Sequence, residues 1–278
     1  MMSLIIGLTN LAVGLAYAGL GLLSVWETVS LHRYRGWSRF GIGFAMMAAS
    51  CGPHHLVHGW HALAGEAVTV PMLAVTLIGL PAGLIFVLLR LETVFGGQGE
   101  RLFAASPDRV AMAVGGFTAV AGVLAASAFL QPASASLFQL ICGSPGLAGA
   151  AADAGVDFTS VMFVTNIFVT VTYGMVGWYL ADCQVRRYLT NGTWSLSGVA
   201  LTGVFFTCAQ MHLIDATTRG NTWMLAFDLF GIPASIYFLW VVKLVHNDSV
   251  MDWNRRPLVG AAAAPPRPSP WSGESPQH

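Results

Sequence analysis

Lysine occurs once in the 278 residues, at Lys243, and charged residues together make up only 9% of the chain. A soluble globular domain carries about 25%. With 55% hydrophobic residues and a mean hydropathy of +0.65, this scarcity excludes an ordinary water-soluble domain. It leaves an integral membrane protein, all-α and polytopic, whose apolar surface meets lipid as well as its own core. Net charge is zero, so nothing basic invites nucleic acid, and none is expected as a partner. Cysteine is sparse. Cys51, Cys183 and Cys208 fall in or beside apolar runs, and Cys142 has no evident partner, so no disulfide framework is expected. The start, "MMSLIIGLTN", lacks the positive n-region of a signal peptide and reads as the beginning of a first span.

What is present is apolar length. A spanning helix needs about 20 mostly apolar residues. Seven stretches are long enough: 4–31, 40–64, 70–91, 110–130, 158–181, 195–216 and 223–245. Cytoplasmic loops retain arginine and lysine. Arg33, Arg35, Arg39, Arg90, Arg101, Arg109, Arg186, Arg187, Lys243, Arg255, Arg256 and Arg267 fall on one side, and only Arg219 on the other. That asymmetry predicts a multi-pass cell-membrane protein with its N-terminus outside and its C-terminus cytoplasmic. Residues 1–256 form one seven-helix domain in this reading. The Pro/Ala/Ser-rich residues 257–278 form a disordered cytoplasmic tail. Residues 131–157 make the longest outside loop, with a short helix expected around 135–141. No internal repeat is evident. The bilayer is the first partner, and other membrane subunits are candidates.

The chemistry is concentrated in "CGPHHLVHGWH", residues 51–61. At 100° per residue, Cys51, His54, His55, His58 and His61 fall within an arc of about 120°, opposite an apolar face. Pro53 withholds a donor from residue 49, which predicts a kink or opening just before the first histidine. The sixth span carries "CAQMHLIDA", with Cys208, His212 and Asp215 on one face. Counting about 1.5 Å per residue places His58, His212, Asp228 and Asn10 at one height, with Asn166 somewhat deeper. Ionisable groups inside a membrane are costly and mark functional sites.

The expected metal ligands are therefore His54, His55, His58, His61 and His212. Asp215 and Asp228 are candidates for catalytic or ligand-orienting carboxylates, and Asn10, Asn166, Cys51 and Cys208 for contacts to the bound group. Imidazole and carboxylate suit zinc or copper, and the thiols with Met211 tilt the choice toward copper. The leading reading is a metal-dependent membrane enzyme or metal-handling protein. The alternatives are a b-type haem protein in electron transfer, and a sensor or receptor whose histidines titrate near neutral pH. A wet polar cavity without a cofactor is the bland reading.

Weaker signals have structural explanations. Glu27 and His32 are expected to pair with the loop-1 arginines or to snorkel. Asp182 lies next to Arg186 and Arg187. Trp26, Trp37, Trp194, Trp223 and Trp253 read as an interfacial belt, and Trp60 as belt or wall of the site. Small residues in "AYAGLGLLS" and "AVGGFTAVAGVLAAS" read as close helix packing. "NGTWSLSGVAL" resembles the serine turn of rhomboid proteases, but the last span offers no histidine to face it.

Span count and intramembrane histidines resemble the membrane-hydrolase superfamily of alkaline ceramidases and hemolysin III-like receptors. That superfamily carries its HxxxH pair on the last span, whereas here His54 and His58 form the pair on the second, so no residue role carries over. Microbial rhodopsins need a lysine in the seventh span at mid-membrane, and Lys243 lies at the inner end of that span.

Overall fold

The structure is a computed structural model and describes residues 2–65, 69–129, 158–217 and 222–247. The loop at 131–157 with its expected helix, Cys142, Arg219 and the tail at 257–278 lie outside the described residues. Seven helices are described: α1 Met2–Arg35, α2 Arg39–Leu63, α3 Val70–Val94, α4 Pro107–Phe129, α5 Val161–Asn191, α6 Leu196–Thr217 and α7 Thr222–Asn247. Short polar residues set their starts. Ser38, Thr69 and Ser160 accept from the backbone N–H groups of Gly41, Met72 and Phe163 and so cap α2, α3 and α5. Gly192, in the left-handed region at φ 67°, ends α5.

Six helices (α1 and α3 to α7) are long and apolar enough to cross a membrane. The second is as long as the third, at 25 residues. It falls outside that set because four imidazoles dilute its hydropathy. Pro53 does not interrupt it: α2 is helical from Arg39 to Leu63. The outer surface is correspondingly apolar. Leu8, Leu15, Leu22 and Val29, at seven-residue intervals on α1, are all exposed, a stripe that a water-soluble protein would bury.

Helix contacts close a ring in the order α1, α2, α7, α5, α6, α3 and back to α1, with α4 leaning on α3 from outside. Close approach of α1 and α2 depends on glycines facing each other in antiparallel register. A Cβ on Gly59 would stand 2.9 Å from the Gly7 carbonyl, and one on Gly14 3.0 Å from the Gly52 carbonyl. The expected small-residue packing is met in part. Gly21 faces Ala48, while Gly19, Gly115, Gly116 and Gly122 have open space beside them.

The ring order exposes a repeat that the linear sequence hides. Exchanging α1 with α5, α2 with α6 and α3 with α7 carries the ring onto itself. The matched helices share residues: Thr9-Asn10-x-x-Val13-x-x-x-Tyr17 with Thr165-Asn166-x-x-Val169-x-x-x-Tyr173, Cys51-x-x-x-His55-Leu56 with Cys208-x-x-x-His212-Leu213, and "LIGLPAGLIF" at 77–86 with "LFGIPASIYF" at 229–238. The chain is thus two three-helix units joined through α4, related by a pseudo-two-fold axis through the ring. This corrects the expectation of no repeat.

One end of the ring is packed with aromatic rings. Phe44 lies between Phe86 and Phe238, at centroid distances of 5.4 and 5.1 Å, and Phe205 meets Phe238 at 4.8 Å. Beyond them lies the arginine-rich end. There Glu27 pairs with Arg90 of α3 at 2.5 Å, not with the loop-1 arginines, and His32 packs on Trp37. Asp182 bonds Arg186 and also His246, at 2.7 and 2.6 Å. A two-residue antiparallel pair, β1 Leu102–Phe103 with β2 Trp194–Ser195, ties two loops together. Trp194 is buried and donates to the Ala105 carbonyl, so it anchors a loop and does not join an interfacial belt. Trp60 is 68% exposed and belongs to the exterior, not to a site wall.

The serines of "NGTWSLSGVAL" serve α6. Buried Glu100 accepts from Ser197 N at 3.1 Å and from the hydroxyls of Ser195 and Ser197. A carboxylate here satisfies orphan donors of the helix start. Glu100→Ala is expected to cost about 2 kcal/mol of stability. A thermal melt read beside metal stoichiometry checks this, since the stoichiometry should not change.

Candidate metal centre

At the end opposite the arginines, five helices of the ring bring polar groups inward. α2 supplies His54, His55 and His58, α6 supplies His212 and Asp215, α7 supplies Asp228, α5 supplies Asn166, and α1 supplies Asn10; all are buried. His54 joins the two halves. Its Nδ1 lies 3.0 Å from Asp228 Oδ1, and its Nε2 lies 2.8 Å from Asp215 Oδ2. His58 Nε2 stands 3.0 Å from the same Asp215 oxygen and 3.1 Å from His54 Nε2. The His212 ring is 4.7 Å from that of His54, centroid to centroid. One donor atom each from His54, His212 and Asp215 lie within 4.8 Å of one another, and this buried cluster could hold a metal ion.

Amide geometry settles which nitrogens face inward. Asn166 Nδ2 donates to the Met162 carbonyl and to Asp228 Oδ2, so its Oδ1 is the acceptor for His212 Nδ1–H at 2.7 Å. Asn10 Nδ2 likewise donates to the Ile6 carbonyl and to Thr76 Oγ1, leaving Oδ1 to accept from His55 Nδ1–H at 2.8 Å. A carboxylate accepts from His54 Nδ1–H in the same way. His54, His55 and His212 thus each spend Nδ1 on a fixed acceptor, which in the neutral ring leaves Nε2 as a lone pair. Metal-ligating histidines have this arrangement, in which the outer partner sets the tautomer.

Hydrogen bonds alone satisfy the triangle of His54 Nε2, His58 Nε2 and Asp215 Oδ2 only when both imidazoles carry a proton on Nε2, which with Nδ1–H given to Asp228 makes His54 an imidazolium. The edges of the triangle meet at about 60°, while a hydrogen bond prefers a donor angle above about 150°, so one proton serves one edge. With Nδ1–H given to Asp228, a neutral His54 turns a lone pair toward a carboxylate oxygen. A positive species between them removes the repulsion. Ligands about 2.0–2.1 Å from one zinc stand about 2.8–3.4 Å apart, for angles between 90° and tetrahedral. The observed edges of 2.8 to 3.1 Å lie at the compact end of that range.

His55, His61, Cys51 and Cys208 are not among the donors of the set made by His54, His212 and Asp215, although the Cys51 thiol lies against the His212 ring. His55 faces α1, edge-on to Tyr17 at 5.5 Å. It also lines a cavity of about 10 Å³, room for one water. His61 is half-buried one turn beyond His58. The Cys51 thiol bonds the Tyr173 hydroxyl at 3.5 Å, and Cys208 is buried beside it. Thr76, Tyr17 and Tyr173 were not read from the sequence as part of the site. The two tyrosines lie seven residues after Asn10 and Asn166, on the same helix faces, and that spacing was the available signal.

The repeat shows how the cluster arose on a symmetric frame. His55 with Asn10 and Thr76 is the counterpart of His212 with Asn166 and Asp228. Symmetry breaks where His54 faces Met211, His58 faces Asp215 and Thr76 faces Asp228 in the alignment of the two units. Those substitutions place both carboxylates in the second unit and two of the three clustered imidazoles in the first. No family model, curated protein or solved structure matches this chain.

Proposed function

We propose that the chain is a seven-span cell-membrane protein, N-terminus outside, that takes up and holds one transition-metal ion between α2 and α6. His54, His58, His212 and Asp215 would be the ligands, with Asp228 and Asn166 orienting the imidazoles. The observation that carries this reading is the convergence of His54 Nε2 and His58 Nε2 on one buried Asp215 oxygen, with His212 beside them. Donors of nitrogen and oxygen favour zinc, with copper(II) next. The thiols that tilted the sequence reading toward copper lie outside the His/Asp group. Haem b is disfavoured because a carboxylate and a second imidazole crowd His54 Nε2, where an axial ligand must meet iron alone.

Four protein donors make a closed set, the pattern of a site that holds its ion; a catalytic zinc keeps a position open. That favours metal handling over catalysis. The enzyme reading survives on one observation: His54, His212 and Asp215 alone make a three-ligand set. Zinc content of the purified protein with its absorption spectrum tests the proposal. Stoichiometric zinc with no Soret band is the expected result. A chelator should then lower the melting temperature, because an ion bound only to the folded state contributes about 4 kcal/mol at 1,000 times its Kd. Metal-free protein that melts identically with and without added zinc sinks the reading.

Orientation and the seventh span belong to the same proposal. In a background lacking Cys142 and Cys183, Ala64→Cys should react with an impermeant thiol reagent from outside and Gln98→Cys should not. Inverted labelling moves the site to the cytoplasmic half. The open face of α4, with exposed Met112, Phe117, Val120 and Leu124, would meet lipid or another membrane subunit.

A further inference from the structure

The pseudo-two-fold axis singles out a second set of donors that the His/Asp centre does not use. Cys51 of the first unit and Cys208 of the second are counterparts in the repeat. They meet each other: the two thiols are buried, unoxidised and in mutual contact. Each has a phenol of the opposite unit beside it. The Tyr173 hydroxyl lies 3.5 Å from Cys51 Sγ, and Tyr17 is the neighbour of Cys208. Tyr17 and Tyr173 are themselves counterparts. A symmetric row of phenol, thiol, thiol and phenol therefore crosses four helices, one turn from His54 and His212 toward the aromatic layer.

We propose that Cys51 and Cys208 form a second metal site, selective for a soft monovalent d10 ion such as Cu(I), distinct from the His/Asp centre. Thiolates select Cu(I) over the harder ions that imidazole and carboxylate accept. Two ligands suffice for such an ion, so the pair needs no third donor from the chain. Binding moves no electrons. Two sulfur–metal bonds form, two S–H bonds break, and both protons leave to water. The resulting bis-thiolate complex carries one negative charge. The Tyr173 hydroxyl, which accepts from the Cys51 thiol, would donate to the thiolate by rotating its O–H, Tyr17 stands likewise beside Cys208, and the His212 ring lies against Cys51, so outer partners for that charge are already present. The aromatic layer of Phe44, Phe86, Phe205 and Phe238 closes the row from the arginine end. An ion reaching it must pass the histidines.

The test is an anaerobic titration of the purified full chain, preloaded with zinc, with Cu(I) held by a colorimetric chelator. Ag(I) serves as a redox-inert second probe. The expected result is one Cu(I) per chain with a thiolate-to-copper band in the near ultraviolet, two sulfur neighbours by X-ray absorption, and zinc retained. Cys51→Ala and Cys208→Ala should each lower Cu(I) affinity by more than the about 100-fold typical of losing an outer partner, with zinc content unchanged. Asp215→Asn should show the opposite pattern, so failure of the zinc reading and failure of this one are distinguishable. The wild-type spectrum needs no variant to fold. Cu(I) bound through nitrogen or oxygen only, Cu(I) displacing the zinc, or no Cu(I) bound overturns the proposal.

Discussion

Asp215→Asn is expected to strip the protein of its ion while leaving the helices in place. Asp215 Oδ2 is the one atom that both His54 Nε2 and His58 Nε2 approach, at 2.8 and 3.0 Å. An amide there keeps the shape and removes the negative charge. It also sets an N–H or a weaker acceptor against the His54 Nε2 lone pair. Loss of one direct ligand should reduce zinc affinity by more than about 100-fold, the upper range for outer partners alone. Asn166→Ala should reduce it within about 10- to 100-fold, because it frees the His212 ring without removing a donor atom. Competition against a fluorescent zinc chelator measures both. Equal losses for the two variants would mean that Asp215 does not touch the ion.

Gly59→Val should damage the fold more than any substitution at the metal. A Cβ at Gly59 would stand 2.8 Å from Leu11 Cγ and 2.9 Å from the Gly7 carbonyl, both on α1. Backbone cannot yield as a long side chain can, so α1 and α2 must separate. Overpacking of this kind costs about 3 kcal/mol, and branching at Cβ adds bulk where none fits. Separation would also break the contact of Asn10 with His55. The expected outcome is poor yield or a melting temperature lowered by several degrees. Gly115→Val on α4, where open space surrounds the position, is the control and should behave as wild type.

The helical elements were legible because lipid demands long apolar runs, and hydropathy reports those directly. The polar layer was also legible: helix periodicity put His54 and His58 on one stripe, and rise per residue put His212, Asp228 and Asn10 at their height. Which nitrogen faces which oxygen was not, because that depends on helix neighbours. Loop lengths do not say that α7, rather than α3, brings a carboxylate to His54. Glu27 was assigned to nearby arginines for the same reason, and its partner Arg90 came from α3, a ring neighbour of α1 that is distant in sequence. The repeat escaped notice because its shared residues are few and spaced as one face of a helix. They stand out only once the helices are paired by position in the ring.

The composition of α2 bears on how the chain enters the bilayer. It carries four imidazoles and a mid-helix proline, and it alone of the seven helices falls short of the apolarity of a free-standing span. Polar side chains at a helix centre oppose insertion. Its glycines, however, match those of α1 at backbone contact. During synthesis α1 precedes it and is already a competent span. In the proposed seven-span reading the second helix would enter as one arm of a hairpin with α1, the Asn10 of α1 placed to receive His55. On that reading, assembly of the centre would begin with this pair, since Asn10 and His55 are synthesised before Asp215 and Asp228.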